Sequence, residues 1–111
     1  MPLYNQASFK NSRVAARKPT TESNVYKVNI LNTSPNTLVA PATPNRTYIT
    51  LRSQATAIGD DIVYDYHDNP NILTEGFTLK SGEAVDLESP TAIYARAVVN
   101  NVSCSIDEGQ G

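Results

Sequence analysis

Beyond residue 23, apolar and polar positions alternate with a period of two through most of the chain. The stretch NVYKVNIL sets Tyr26, Val28 and Ile30 against Val25, Lys27, Asn29 and Leu31, which predicts a strand with one mostly apolar face. In RTYITLRS, Tyr48 or Ile49 must face inward, and Arg46, Thr50 and Arg52 line the side opposite Ile49 and Leu51. In DIVYDYH, Ile62, Tyr64 and Tyr66 share a face opposite Val63 and Asp65. Between the first two of these strands, NTSPNTLVAPATPN supplies a turn, a short strand at Thr37 to Ala40 and a loop, and its prolines exclude that strand from the centre of a sheet.

The second half continues the pattern. GFTLKSGEAVDLES predicts a hairpin turning at Lys80, Ser81 and Gly82. TAIYARAVV and VSCSID are expected to pair across Asn100 and Asn101, since asparagine tolerates the left-handed backbone of tight hairpin turns. Phe77, Leu79, Val85, Leu87, Ile93 and Val98 are the candidates to fill the core of this region. Seven or eight short strands, turns about every 8 to 12 residues and no core helix predict an all-β fold. The simplest form is a jelly-roll-like β-sandwich or barrel.

A length of 111 residues suits one domain with one modest core. The net charge of −2 divides unevenly. Up to Ser23, Lys10, Arg13, Arg17 and Lys18 stand against Glu22 alone, net +3, whereas the remainder carries five basic and ten acidic residues, net −5. Residues 1–23 are therefore read as an N-terminal arm and 24–111 as the β domain. The arm has no strand pattern. A helix over Phe9 to Ala16 would be marginal alone, so the arm is expected to order on a partner; the alternative is a frayed terminus. Nucleic acid is not expected as the partner, because the acidic body would repel phosphate. No stretch approaches the roughly 20 consecutive apolar residues of a membrane helix, and the first residues lack an apolar signal region. No membrane partner is expected. A single cysteine, Cys104, is read as a core thiol in a reducing compartment.

Candidate chemistry is sparse. His67 lies among Asp65 and Asp68 before a proline turn and reads as a solvated residue with a neighbouring ion pair. One histidine is too few for a cupin-type metal site. Asp60, Asp61, Asp65 and Asp68 lack the spacing and distal glutamate of a calcium loop and read as a solvated acidic rim. Neither a nucleophile elbow nor a phosphate-cradling glycine loop occurs. No enzyme activity, catalytic residue, metal or cofactor is expected. The sequons at Asn32, Asn45 and Asn101 carry no meaning without a secretory route.

Three segments carry a resemblance: PNRTYITLRS (Pro44 to Ser53), a G-x-x-L-x-x-G-E hairpin (Gly76 to Glu83, with Leu79 and Gly82) and an A-I-Y-A-x-A strand (Ala92 to Ala97). In these the body resembles the capsid decoration (cement or staple) proteins of short-tailed bacteriophages. The resemblance implies a structural virion protein, made in the bacterial cytoplasm, that sits on the outer capsid surface. There it would clamp neighbouring major capsid protein subunits, as a homodimer or alternatively a trimer. Given that role, the arm would bind an acidic track on the coat protein through Lys10, Arg13, Arg17 and Lys18, with Tyr4 and Phe9 as apolar anchors. The alternative is a carbohydrate-binding or host-attachment module, with Tyr48, Tyr64 and Tyr66 as stacking platforms.

Overall fold

The computed structural model describes residues 22–111. In order along the chain these form β1 (Glu22–Ile30), β2 (Thr37–Ala40), β3 (Arg46–Ser53), β4 (Ile62–Asp65), a helical turn α1 (Ile72–Glu75), β5 (Phe77–Leu79), β6 (Ala84–Leu87), β7 (Ile93–Ala97) and β8 (Val102–Gln110). β1 begins two residues inside the stretch read as the arm. The strands make two antiparallel four-stranded sheets, ordered β1-β8-β3-β6 and β2-β7-β4-β5, packed as a sandwich. The all-β expectation is met, and β2 lies at a sheet edge as its flanking prolines require.

The pairing is nested: β1 with β8, β2 with β7, β3 with β6 and β4 with β5. Among consecutive strands, only β4 and β5 are partners. Both hairpins expected from the sequence are therefore corrected. The turn at Lys80 to Glu83 forms, with Glu83 N–H donating to the Lys80 carbonyl (3.0 Å) and Gly82 at φ +78°. It carries the chain from β5, the edge of one sheet, to β6, the edge of the other. Likewise β7 and β8 lie in different sheets, and residues 98–101 cross between them. A tight turn sets the reversal of direction but not which strand each arm pairs with.

Period-two alternation decides what is buried. Ile30, Ile49, Leu51, Ile62, Ile93 and Ile106 are fully enclosed between the sheets, with Cys104 among them. Each such aliphatic side chain contributes about 1.5–3 kcal/mol by leaving water. Burial pushes the Cys104 thiol up to about 11, as expected of a core cysteine. Leu79 and Ile93 are buried as predicted, and Val85 and Leu87 pack half-buried against the core. Phe77 and Val98 are not core residues, being 54% and 47% exposed. Phe77 pairs with Tyr64 at the edge of its sheet, where no further described strand covers it, and Val98 lies beyond the end of β7.

At the end of the sandwich where β1 starts and β8 finishes, a β3 register shift between Arg46 and Tyr48 breaks strict alternation. Arg46, expected on the outer side, is consequently buried. Its guanidinium donates to the carbonyls of Ser89 (2.9 Å), Pro41 (3.1 Å) and Thr91 and to Glu108 Oε1 (3.3 Å). Two loops, β2–β3 and β6–β7, and two strands, β3 and β8, are pinned to one cation. Tyr26 adds its hydroxyl to Glu108; burial first, then this hydrogen bond and the Glu108 charge, push its phenol up to about 12.

Candidate functional site

The outer face of the second sheet carries Tyr94 and Arg96, the residues that alternate with buried Ile93, Ala95 and Ala97 on β7. Across β4 they face Asp65 and Val63. Residues 66–76 fold back over this face, so all four residues of β4 are buried. Ile72 of α1 is fully buried in this layer. At Gly76 an added Cβ would lie 2.6 Å from Val63 Cγ1 and 2.8 Å from the Tyr64 carbonyl oxygen, so the segment meets β4 at a point where no side chain fits. Buried Asn69 ties the layer together. Its amide donates to Asp65 Oδ2 (3.2 Å) and Glu75 Oε1 (2.9 Å), and its Oδ1 accepts from the Asn71 N–H (2.9 Å).

Between this layer and residues 34–36 lies a groove of about 400 Å³, lined by Ser34, Pro35, Asn36, Asp68, Pro70 and Arg96. The register of Thr37 against Ala95 sets Asn36, just before β2, level with Arg96. Asn36 Nδ2 donates to Asp68 Oδ1 (2.9 Å) and to the Asn69 carbonyl (2.7 Å). Both amide protons are thus committed to acceptors, which fixes the orientation of the side chain. Its Oδ1 is buried with no hydrogen-bond partner, and so is Arg96 Nε. Among the described residues the Arg96 guanidinium makes no ion pair, although Asp68 lines the same groove. Such orphaned buried polar atoms are uncommon in folded proteins.

The other sequence-based candidates fall apart spatially. Tyr4, Phe9, Lys10, Arg13, Arg17 and Lys18 lie outside the described residues. The three tyrosines named as a stacking platform do not form one exposed array. Tyr64 is buried, and Tyr48 is half-buried with its hydroxyl donating to Asp107 Oδ1 (3.1 Å). Tyr66 is half-buried too, perpendicular to Tyr64 at a centroid distance of 6.4 Å. His67 is exposed, its Nδ1 lying 3.4 Å from Asp65 Oδ1, as expected. The acidic rim is corrected at Asp65, which is buried and accepts the Tyr66 N–H (2.7 Å). Asp60, Asp61 and Asp68 accept from Asn100, Ser81 and Asn36, three separate places. Among the described residues no cluster of metal-ligating side chains occurs, and no helix is long and apolar enough to cross a membrane.

The groove residues were not candidates on sequence grounds. The available signal was the alternation in TAIYARAVV, which places Arg96 on the face away from Ile93 and Ala95. Nothing local links it to Asn36 or Asp68. Fold and site define an antiparallel β-sandwich with a polar groove on one outer face. No family model, curated protein or solved structure matches the chain.

Proposed function

We propose that this chain is a structural virion protein that binds the outer surface of a bacteriophage capsid and clamps neighbouring major capsid protein subunits. The observation that carries the reading is the outer edge of β1, which among the described residues pairs with no further strand. It spans nine residues at the margin of its sheet, whereas the other three edge strands have four, four and three. Backbone groups of β1 that do not bond β8 face outward, a template for a partner's strand. The strand bears a single lysine, Lys27, and its outward Val25 is 68% exposed, so little guards the edge. It also follows directly on the basic segment holding Lys10, Arg13, Arg17 and Lys18. A partner strand along β1 would meet main-chain hydrogen bonds first and the positive arm next.

The nested pairing of the eight strands supports a jelly roll, the double Greek-key form of the sandwich. In this reading the body is scaffold and no reacting group is needed. Contacts available only on the mature shell stabilise it by mass action. Two copies joined across a two-fold axis, as a homodimer, add the second contact without a fresh translational cost; a trimer at a three-fold axis is the alternative. The acidic body disfavours nucleic acid as a partner.

The test is co-sedimentation with shells of the major capsid protein, comparing the full chain with a variant lacking residues 1–18. The full chain is expected to saturate at a fixed ratio to coat subunits and to weaken with salt. The truncated chain should keep its circular dichroism and melting temperature yet bind less. Equal binding by both would contradict the role given to the arm.

A further inference from the structure

We propose that the outer edge of β1 pairs with β1 of a second copy of this chain, antiparallel and centred on Tyr26. This names the occupant of the edge invoked in the capsid reading and rests on that reading only for the place where two copies meet. Three observations carry it. First, the phase of the hydrogen-bond ladder identifies the unused groups of β1. Gln54 N–H donates to the Ser103 carbonyl (2.9 Å), and Arg52 stands opposite Ser105. Bonded pairs alternate along an antiparallel ladder, so Ser103, Ser105 and Asp107 bond β3, while Cys104, Ile106 and Glu108 bond their β1 partners Val28, Tyr26 and Asn24. Ser23, Val25, Lys27 and Asn29 therefore turn both N–H and C=O away from β8, in a ladder without a register shift. The series ends at Leu31, whose N–H donates to Thr37 Oγ1 and whose carbonyl accepts from Ala97 N–H.

Second, the edge is self-complementary. The four outward residues lie symmetrically about Tyr26, the middle of Glu22–Ile30. A two-fold axis at Tyr26 pairs all nine residues of each copy, setting Val25 against the partner's Lys27, Ser23 against the partner's Asn29 and Glu22 against the partner's Ile30. No charge faces its like, and each Lys27 stem lies along an exposed Val25. An axis at Lys27 would oppose two lysines, and one at Val25 would leave Asn29 and Ile30 without partners in the strand. Third, residues 1–23 carry a net charge of +3, and antiparallel pairing separates these segments. The two Glu22 residues would stand about 27 Å apart, at opposite ends of the joint ladder. Beyond Val25 the edge offers little apolar surface, so the pairing is weak: mostly monomer at micromolar concentration, and dimer where a shell holds two copies side by side.

The test uses the isotope-labelled full chain without any capsid, so its outcome stands apart from the capsid reading. Sedimentation equilibrium and amide spectra are followed from micromolar to millimolar concentration. The mass is expected to rise towards that of a dimer, and the amides of Ser23, Val25, Lys27 and Asn29 to shift with it while those of β6 stay in place. Val25→Lys, at an exposed position, sets a lysine against the partner's Lys27 and should weaken association about fivefold or more. Adding Lys27→Glu puts opposite charges in both pairs and should restore association, which an axis at Val25 or Lys27 would not allow. The proposal is overturned if the chain stays monomeric at millimolar concentration, whether its β1 amides are open or covered by its own residues 1–21. It is equally overturned if other amides shift on association, if Val25→Lys associates as tightly as the parent chain, or if the double variant fails to recover.

Discussion

Arg46 and Arg96 show two uses of the same side chain. Arg46, at the end of the sandwich near the β1 and β8 termini, spends its donors on three loop carbonyls and on Glu108. Arg96, on the outer face of the second sheet, leaves a buried Nε without a partner beside an equally unpartnered Asn36 Oδ1. The first network is complete and has no room for a ligand's hydrogen bonds. The second leaves one donor and one acceptor without partners, in two residues that line a groove. The two arginines differ in how fully their polar atoms are satisfied, not in residue type or charge.

Breaking the complete network should have the largest effect. Arg46→Ala leaves Glu108 buried without its cation and three carbonyls without their donor, and should cost about 3–5 kcal/mol in urea unfolding. Gly76→Ala acts on the other region. Its φ of −82° is ordinary, so the penalty is steric, from Val63 Cγ1 and the Tyr64 carbonyl. It should cost about 1–3 kcal/mol and lift residues 66–76 from β4, dismantling the groove while the Arg46 network persists.

Tyr26→Phe sharpens the comparison more gently, removing one donor from Glu108 at about 1 kcal/mol. It also has a pH signature. The Tyr26 phenol stands at about 12 in the folded chain against 10.0 ordinarily, so folding favours the protonated form. Stability from this group is full below pH 10 and is lost as pH rises towards about 12. The Cys104 thiol, at about 11 against 9.0, adds a loss of the same sign beginning near pH 9. Melting temperatures measured against pH should fall on the alkaline side, and Tyr26→Phe should reduce the fall above pH 10 while leaving the shares of the Cys104 thiol and of Tyr64, whose phenol burial also raises. Arg96→Ala should have the smallest effect on stability, about 0.5 kcal/mol or less, because no protein hydrogen bond is lost. A loss comparable with that of Arg46→Ala would erase the distinction between the two arginines.

The strands were legible in the sequence because a half-buried sheet writes its inward face at every second residue. Tyr26, Val28 and Ile30, and again Ile49 and Leu51, point inward as their spacing requires. The pairing was not legible: the Lys80 to Glu83 turn has hairpin chemistry, yet β5 and β6 belong to different sheets. Only the competition among all eight strands decides that. Arg46 escaped the alternation because one register shift at its position reversed its side. The groove was hidden for a further reason. Asn36, Asp68 and Arg96 come from three distant segments, each unremarkable alone, and what marks them is a missing hydrogen bond that exists only in three dimensions.

Hydrogen exchange of the full chain, free and bound to shells of the major capsid protein, tests the proposed clamp most directly. Amides of Glu22–Ile30 which face away from β8 are expected to exchange quickly in the free protein and to become protected on the shell, while β6 on the opposite margin of the same sheet is unchanged. Shell-bound protein whose β1 amides exchange as fast as in the free chain would contradict docking through that edge.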